Sequence, residues 1–420
     1  MTREVLWNFG ALAVLAATGL ALNILVGTQW SPAALGVFNQ GLAAYVVASM
    51  LASVGINHSL LRALGSHASD VQQAAHRDRS ATIIWAALVP TAVLALGVCA
   101  IYWFARHSIA AWLDSPGVAT AMAASTPGLF CFALNKQLLA AVNGWRRMRT
   151  FALLTAARYL LLLVALWMAA RQQWDADALL GIFSISEALL LVVAGAEVAR
   201  HCGRPQWSEV RTWMRTHLYF GLQSAAAAVL LELNAKIDIW MLGLWLTDTK
   251  VGFYTWAAMF AEGFWQVLVV LQNQVNPVLA QHLAAGNTAA VEALARSMRW
   301  KSLALVAGLG VLSLPAYSYI VEQLGGTLGF SESVQSYRIL VVGVVCAAAW
   351  QPMAQILLMA NQPARHSMLM LCTVAVNIAA NALLIPSYGL EGAALGTAIS
   401  VAVGAGFLKY AARRYAGVRI

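Results

Sequence analysis

Eight charged residues fall inside long apolar runs of the chain: Lys136, Arg158, Glu187, Glu197, Glu232, Lys236, Asp238 and Glu262. A charge at the centre of a bilayer costs about 2.5–3.5 kcal/mol on insertion scales, so such residues persist when they are paired or face water. The cations can hold an anion. The carboxylates can hold a proton or a cation. Glu197 lies close enough to the end of its run to reach headgroups, which leaves Glu262, then Glu232 and Asp238, with Glu187 beside them, as coupling carboxylates. At about 1.5 Å of rise per residue, Lys136 lies roughly 10 Å and Arg158 roughly 12 Å from the same side of the membrane. Glu187 reaches nearly that level on the following run, so an Arg158–Glu187 pair is expected. Either it is a structural salt bridge, or Glu187 orients Arg158 towards a wet cavity. Glu232 and Lys236 are four apart and share a helix face in the favourable order. Asn234 and Asp238 fall about 200° away on the same helix.

Uncharged polar and aromatic residues also cluster within apolar runs. One run carries Trp256, Trp265, Gln266, Gln272, Asn273, Gln274 and Asn276. Another carries Trp350, Gln351 and Gln355, and a third Asn39, Gln40 and Tyr45. Such groups are wasted against lipid. Singly, each can be explained by an interhelical hydrogen bond or an interfacial position.

The elements that must position these residues are membrane-spanning helices. Of the 420 residues, 61% are hydrophobic and 10% charged, and the mean hydropathy is +0.70. Soluble domains carry about 25% charged residues. At about 20 apolar residues per span, the chain accommodates about twelve spans with short connections. Apolar runs fall at 5–27, 34–61, 80–104, 118–143, 150–170, 178–200, 216–246, 251–280, 299–322, 334–360, 366–386 and 390–412. The net charge of +9 is sorted by loop. Nineteen basic residues fall on the side of the N-terminus and four on the other, which predicts that both termini face the cytoplasm. The sequence therefore reads as a multi-pass membrane protein with no nucleic-acid partner. Its five cysteines form no CxxC and read as small apolar residues, with neither disulfide nor metal site expected. The first apolar stretch reads as an uncleaved first helix.

A weak repeat runs at an offset of 216 residues: Gly36-Val37-Phe38 over Gly252-Phe253-Tyr254, Arg149 over Arg365, and Ser184 over Ser400. An offset of six helices implies a parallel repeat about a pseudo-two-fold along the membrane normal. The expected fold is all-α, with two six-helix lobes at 1–205 and 206–420. Pro90, Pro127, Pro277, Pro315 and Pro352 read as tolerated kinks. Gly392 and Gly396 form a GxxxG suited to close packing.

Three segments carry a family resemblance: Leu35-Gly36-Val37-Phe38 with Val54-Gly55 and Arg62; Asp238 to Tyr254 with Pro277; and Asn381 to Ala394. The chain resembles the polysaccharide flippases (O-antigen-type repeat-unit flippases) of the multidrug/oligosaccharidyl-lipid/polysaccharide exporter superfamily. The resemblance implies a V-shaped pair of bundles around a central cavity in a bacterial inner membrane. It implies alternating access that carries a polyprenyl-diphosphate-linked oligosaccharide from the cytoplasmic to the outer leaflet, as in lipopolysaccharide and O-antigen assembly. A proton or sodium gradient would drive it, and a polymerase with its chain-length machinery would be partners. No cofactor and no catalytic residue is implied. For such a substrate, Arg158, Lys136 and Lys236 are the diphosphate contacts, because guanidinium and ammonium groups replace lost phosphate hydration. Trp256, Trp265, Gln266, Gln272, Asn273, Gln351, Gln355, Asn39 and Tyr45 are the sugar contacts. Asp238 is the family position. It is followed by Ile239-Trp240 rather than a basic residue. The first two spans hold no basic residue within the membrane, unlike the lipid II flippases. A multidrug/cation antiporter of the same superfamily would need an anionic or apolar cavity. A polytopic polymerase or ligase would need a sizeable outer loop, and these loops are short. No Walker A loop is present, so ATP does not drive this chain directly.

Overall fold

In the computed structural model, which describes residues 3–65, 74–325 and 328–419, there is no strand among the described residues. The helices are α1 Arg3–Gln29, α2 Pro32–Ser53, α3 Ile56–Gly65, α4 Ala74–Trp112, α5 Pro116–Gly144, α6 Met148–Arg171, α7 Ile182–His201, α8 Trp207–Trp245, α9 Asp248–Ala284, α10 Thr288–Gly325, α11 Ser333–Ala348, α12 Ile356–Met359 and α13 Pro363–Ala411. Eight of the described helices are long and apolar enough to cross a membrane, and α11 with its bent continuation is a ninth candidate span. Continuity within α13 hides a turn. Gly389 has φ 57° and ψ −125°, so two helices meet there. Only glycine takes that backbone without strain. With α13 counted as two, and with α1 and the more polar α8, the helices accommodate the twelve expected spans.

The second span is broken. Val54 and Gly55 both have positive φ and separate α2 from α3. Lipid-spanning backbone tolerates such a break only where protein or water satisfies the freed groups. The tenth span is broken too, with a 52° bend between Phe330–Ala348 and Gln351–Met359. The kink expected at Pro352 is therefore a full interruption. Ser302 Oγ takes up one freed carbonyl there, Ala348 O, at 2.5 Å.

Two compact units pack separately: Met1–Leu25 with Val37–Glu232, and Val26–Gly36 with Leu233–Ile420. The change of unit falls inside α8. Its first half is pinned to the first unit by His217, which is fully buried. Ser59 Oγ lies 2.8 Å from Nδ1, and Ile83 O lies 3.3 Å from Nε2. Nε2 therefore donates to the carbonyl, and Nδ1 accepts the hydroxyl proton. Ile56, Leu60, Ile83, Leu138, Leu154 and Leu190 belong to the apolar core there. In the second unit, Trp256 stacks on Phe330 with ring centroids 4.1 Å apart.

The second unit also holds a reciprocal crossing. A Cβ on Gly36 would collide with the carbonyl oxygen of Asp248, and a Cβ on Gly252 with that of Pro32. Gly36 and Gly252 are 216 residues apart, as are Pro32 and Asp248, which is the offset of the repeat. Backbone cannot yield as a flexible side chain can, so extra volume costs about 1–3 kcal/mol or more. Gly252→Ala is expected to lower the melting temperature of the purified protein by a corresponding amount. Gly263→Ala, on the same helix and with nothing within 4 Å, is expected to be neutral or mildly stabilising. Equal melting temperatures for the two variants would contradict the crossing.

Candidate functional site

The first unit gathers two buried cations on one ring. Phe132 and Lys136 are one turn apart on α5. Lys136 Nζ lies 5.4 Å from the Phe132 ring centroid, and Arg158 Cζ on α6 lies 4.1 Å from it. Tyr45 of α2 meets the same ring edge-on at 5.9 Å. The expected ion pair is present, with Arg158 Nε donating to Glu187 Oε1 at 2.5 Å. Glu187 is only 1% exposed. Asn135 Nδ2 donates both to Glu187 Oε2 at 2.9 Å and to its carbonyl at 2.8 Å. Both carboxylate oxygens are thus committed, and the guanidinium is fixed in one orientation. Its Nη2 is buried without a hydrogen-bond partner, as is the Tyr45 hydroxyl.

Lys136 has no carboxylate within ion-pair distance among the described residues. Its Nζ contacts Met50 Sδ at 3.2 Å and Ser53 Oγ at 3.3 Å. Both partners lie in the last turn of α2, just before the break at Val54. The negative end of a helix dipole and an aromatic face therefore carry the ammonium. This leaves the charge available to an anion.

The second unit gathers Asp238 and neutral donors. Asp238 is 8% exposed. Thr397 Oγ1 donates to Oδ2 at 2.5 Å, Tyr254 OH donates to Oδ2 at 3.2 Å, and Asn381 Nδ2 donates to Oδ1 at 2.9 Å. Asn381 also donates to Asn377 Oδ1 at 2.7 Å. Its own Oδ1 is buried without a partner. Gly396 makes room for this arrangement, since a Cβ there would collide with Asn381 Oδ1. No basic side chain lies within ion-pair distance of Asp238 among the described residues. A carboxylate and a spare amide oxygen in one enclosed place suit a proton or a small oxygen-seeking cation.

Lys236 does not pair with Glu232, as their spacing suggested. Its Nζ lies 3.6 Å from Glu262 Oε1 on α9. Residue 232 belongs to the first unit and 236 to the second, and the long ammonium arm reaches across to another helix. Glu262 is 60% exposed. Gln266 and Asn273 are exposed on α9 as well, and spacings of four and eleven residues place all three in one stripe. The other expected sugar contacts divide. Trp256 is completely enclosed between aromatic rings, and a sugar cannot reach it in this conformation. Trp265 is partly buried against the cluster around Leu268. Gln272 is buried. Gln355 accepts from Asn276 at 2.8 Å. Gln351 is half-buried. Asn39 is buried and donates to Asn23 at 2.9 Å.

Sequence reasoning missed Phe132, Asn135, Asn377 and Thr397 as site residues. The i,i+4 pairs Phe132/Lys136 and Asn377/Asn381 were signals that could have found two of them.

Residues 4–282 match the family described as polysaccharide biosynthesis protein. A curated relative, the probable low-salt glycan biosynthesis flippase Agl15 of Haloferax volcanii, is 22% identical over 244 residues, 54% of this chain. The match spans 48% of that relative, about half its length. Among solved structures, a lipid II flippase MurJ in an inward closed conformation aligns at TM-score 0.74 and 12% identity, covering 97% of this chain and 87% of that one. An inward-facing multidrug resistance MATE family transporter of the MOP superfamily aligns at TM-score 0.70 and 15% identity, covering 96% and 92%. A MOP superfamily transporter from Pyrococcus furiosus aligns at TM-score 0.64 and 14% identity, covering 97% and 93%. By their descriptions these proteins are flippases and transporters, not catalysts of a chemical step. The chain is thus a multi-pass membrane protein with the fold of the MOP superfamily transporters, and it belongs to the polysaccharide biosynthesis protein family.

Proposed function

We propose that this protein flips a polyprenyl-diphosphate-linked oligosaccharide repeat unit from the cytoplasmic to the outer leaflet of a bacterial inner membrane by alternating access, with both termini cytoplasmic. The observation that carries the reading is the cation pair on Phe132. Lys136 has no carboxylate within ion-pair distance among the described residues, and Arg158 presents a buried Nη2 without a partner. A diphosphate supplies the missing acceptors, with the unpartnered Nη2 of Arg158 donating a charge-assisted hydrogen bond to it. Gln266 and Asn273, on one exposed stripe of α9, are the sugar-facing groups that remain accessible.

Depleting the protein tests this directly. Lipid-linked repeat units are expected to accumulate facing the cytoplasm, and surface polysaccharide to fall. Undiminished surface polysaccharide, with no second flippase present, would overturn the assignment. Repeat units that still reach the outer leaflet at the normal rate would do the same.

Coupling is assigned to Asp238, the enclosed carboxylate with only neutral partners. Asp238→Asn keeps the size and loses the charge. It is expected to abolish the dependence of flipping on an imposed proton or sodium gradient and to slow flipping about ten-fold or more, as loss of a charged site contact does. Gradient-sensitive flipping at the original rate in this variant would remove Asp238 from the coupling role.

A further inference from the structure

In the second unit, three elements converge on Trp350. Trp350 stands in the break after α11, with φ −127°. Lys409 Nζ of α13 lies 3.9 Å from its ring centroid. Arg299 Cζ of α10 lies 5.7 Å from the same ring. The two positive charges are therefore within about one Debye length of each other. No carboxylate lies within ion-pair distance of either among the described residues. Arg147, Arg158, Lys236 and Lys250, by contrast, each have one. The Trp350 indole Nε1 is a buried donor without a partner. Two cations thus meet at one ring with no carboxylate between them among the described residues.

The depth of this place follows from its neighbours. Trp300, next to Arg299, is 69% exposed, and Tyr410, next to Lys409, is 66% exposed. Amphipathic aromatic rings left outside the packed core are the mark of the membrane–water interface. Arg299 and Lys409 consequently sit at the level of lipid phosphates, where basic pockets between spans take anionic headgroups. The geometry points to a binding site for the phosphate of an anionic membrane lipid, formed by Arg299 and Lys409 against the Trp350 ring. Arginine supplies a planar fork, and lysine a point charge. The break in the tenth span sets the Trp350 ring against both cations. The inference is independent of the flippase reading.

The test uses the full chain, purified and reconstituted in phosphatidylcholine with or without phosphatidylglycerol. Lipid retained through delipidation is counted by native mass spectrometry, and thermal unfolding is followed in parallel. The wild-type chain is expected to retain phosphatidylglycerol and to melt higher in its presence. R299Q/K409Q is expected to bind it about 10- to 30-fold more weakly, as loss of two interfacial cations implies. R296Q/K301Q removes two exposed cations of the same helix and is expected to behave as wild type. Should the double variant fail to fold, R299Q alone is expected to show a partial loss. W350A, which removes the ring that both cations rest on, is expected to lose part of the retention as well. Unchanged retention in R299Q/K409Q, or equal loss in R296Q/K301Q, overturns the site. A melting shift reproduced by inorganic phosphate alone also overturns it, since the ligand would then be a free anion rather than a lipid.

Discussion

Lys136→Met is expected to reach the membrane at normal levels, to melt no lower than the wild-type chain, and to flip its substrate about 10- to 100-fold more slowly. The rate estimate is that of one charge-assisted hydrogen bond lost from a bound anion. The stability estimate has the opposite sign for a definite reason. Lys136 is held by a thioether, a hydroxyl, an aromatic face and a helix end, and Glu232 acts on it only from beyond ion-pair distance. Removing it breaks no ion pair, and an uncharged side chain of similar length removes a desolvated charge. A residue kept for structure alone would show the reverse, with lowered stability and intact flipping. Flipping assayed in proteoliposomes, together with thermal unfolding, reads both quantities. Lys136→Arg keeps the charge and is expected to recover most of the rate.

Glu187→Gln produces the largest loss of stability expected at the site. Both oxygens of Glu187 are engaged, one by Arg158 and one by Asn135. Removing the charge leaves a guanidinium buried on Phe132 without compensation, and breaking a buried pair in this way costs about 3–5 kcal/mol. The double variant Arg158→Met/Glu187→Gln removes both charges. It is expected to regain most of the melting temperature and to remain inactive. That outcome separates the two readings of the pair. A salt bridge that merely lets two helices coexist would be dispensable once both charges are gone, and the double variant would then flip normally.

The Arg158–Glu187 contact was legible in the sequence because depth along a helix is nearly one-dimensional. A constant rise per residue and a short connection put both side chains at one level. Lys136 was legible as a buried charge for the same reason. Phe132 was not. Its role comes from two helices delivering cations to one ring, and a single helix's periodicity does not contain that. The Glu232–Lys236 expectation failed on similar grounds. Spacing of four says that two residues share a face, but not that the chain passes from one packing unit to another between them. Lys236 instead reaches Glu262 on the next helix. The sugar-facing residues suffered most. Trp256 and Gln272 have the composition of a binding face, yet both are buried, while Gln266 and Asn273 remain exposed on α9.

The glycines show how far local patterning carries. The 216-residue offset aligned Gly36 with Gly252 from letters alone. That both positions exclude a Cβ because each meets the other helix's backbone is a fact of the crossing. Gly396 read as a small residue for packing. Its space is what lets Asn381 stand against Asp238.

The apolar runs, the sorting of basic residues between loops, the repeat and the identity of the buried charges were determined by the sequence by itself. Each depends on composition or on a period along one chain, and the bilayer acts on those locally. Only the tertiary structure decided which charges are neutralised and which stay free. Arg158 received a carboxylate, Lys136 a helix end, and Asp238 a ring of neutral donors. Countercharge and desolvation depend on what arrives from distant segments within a few ångströms, and no period of a single helix encodes that.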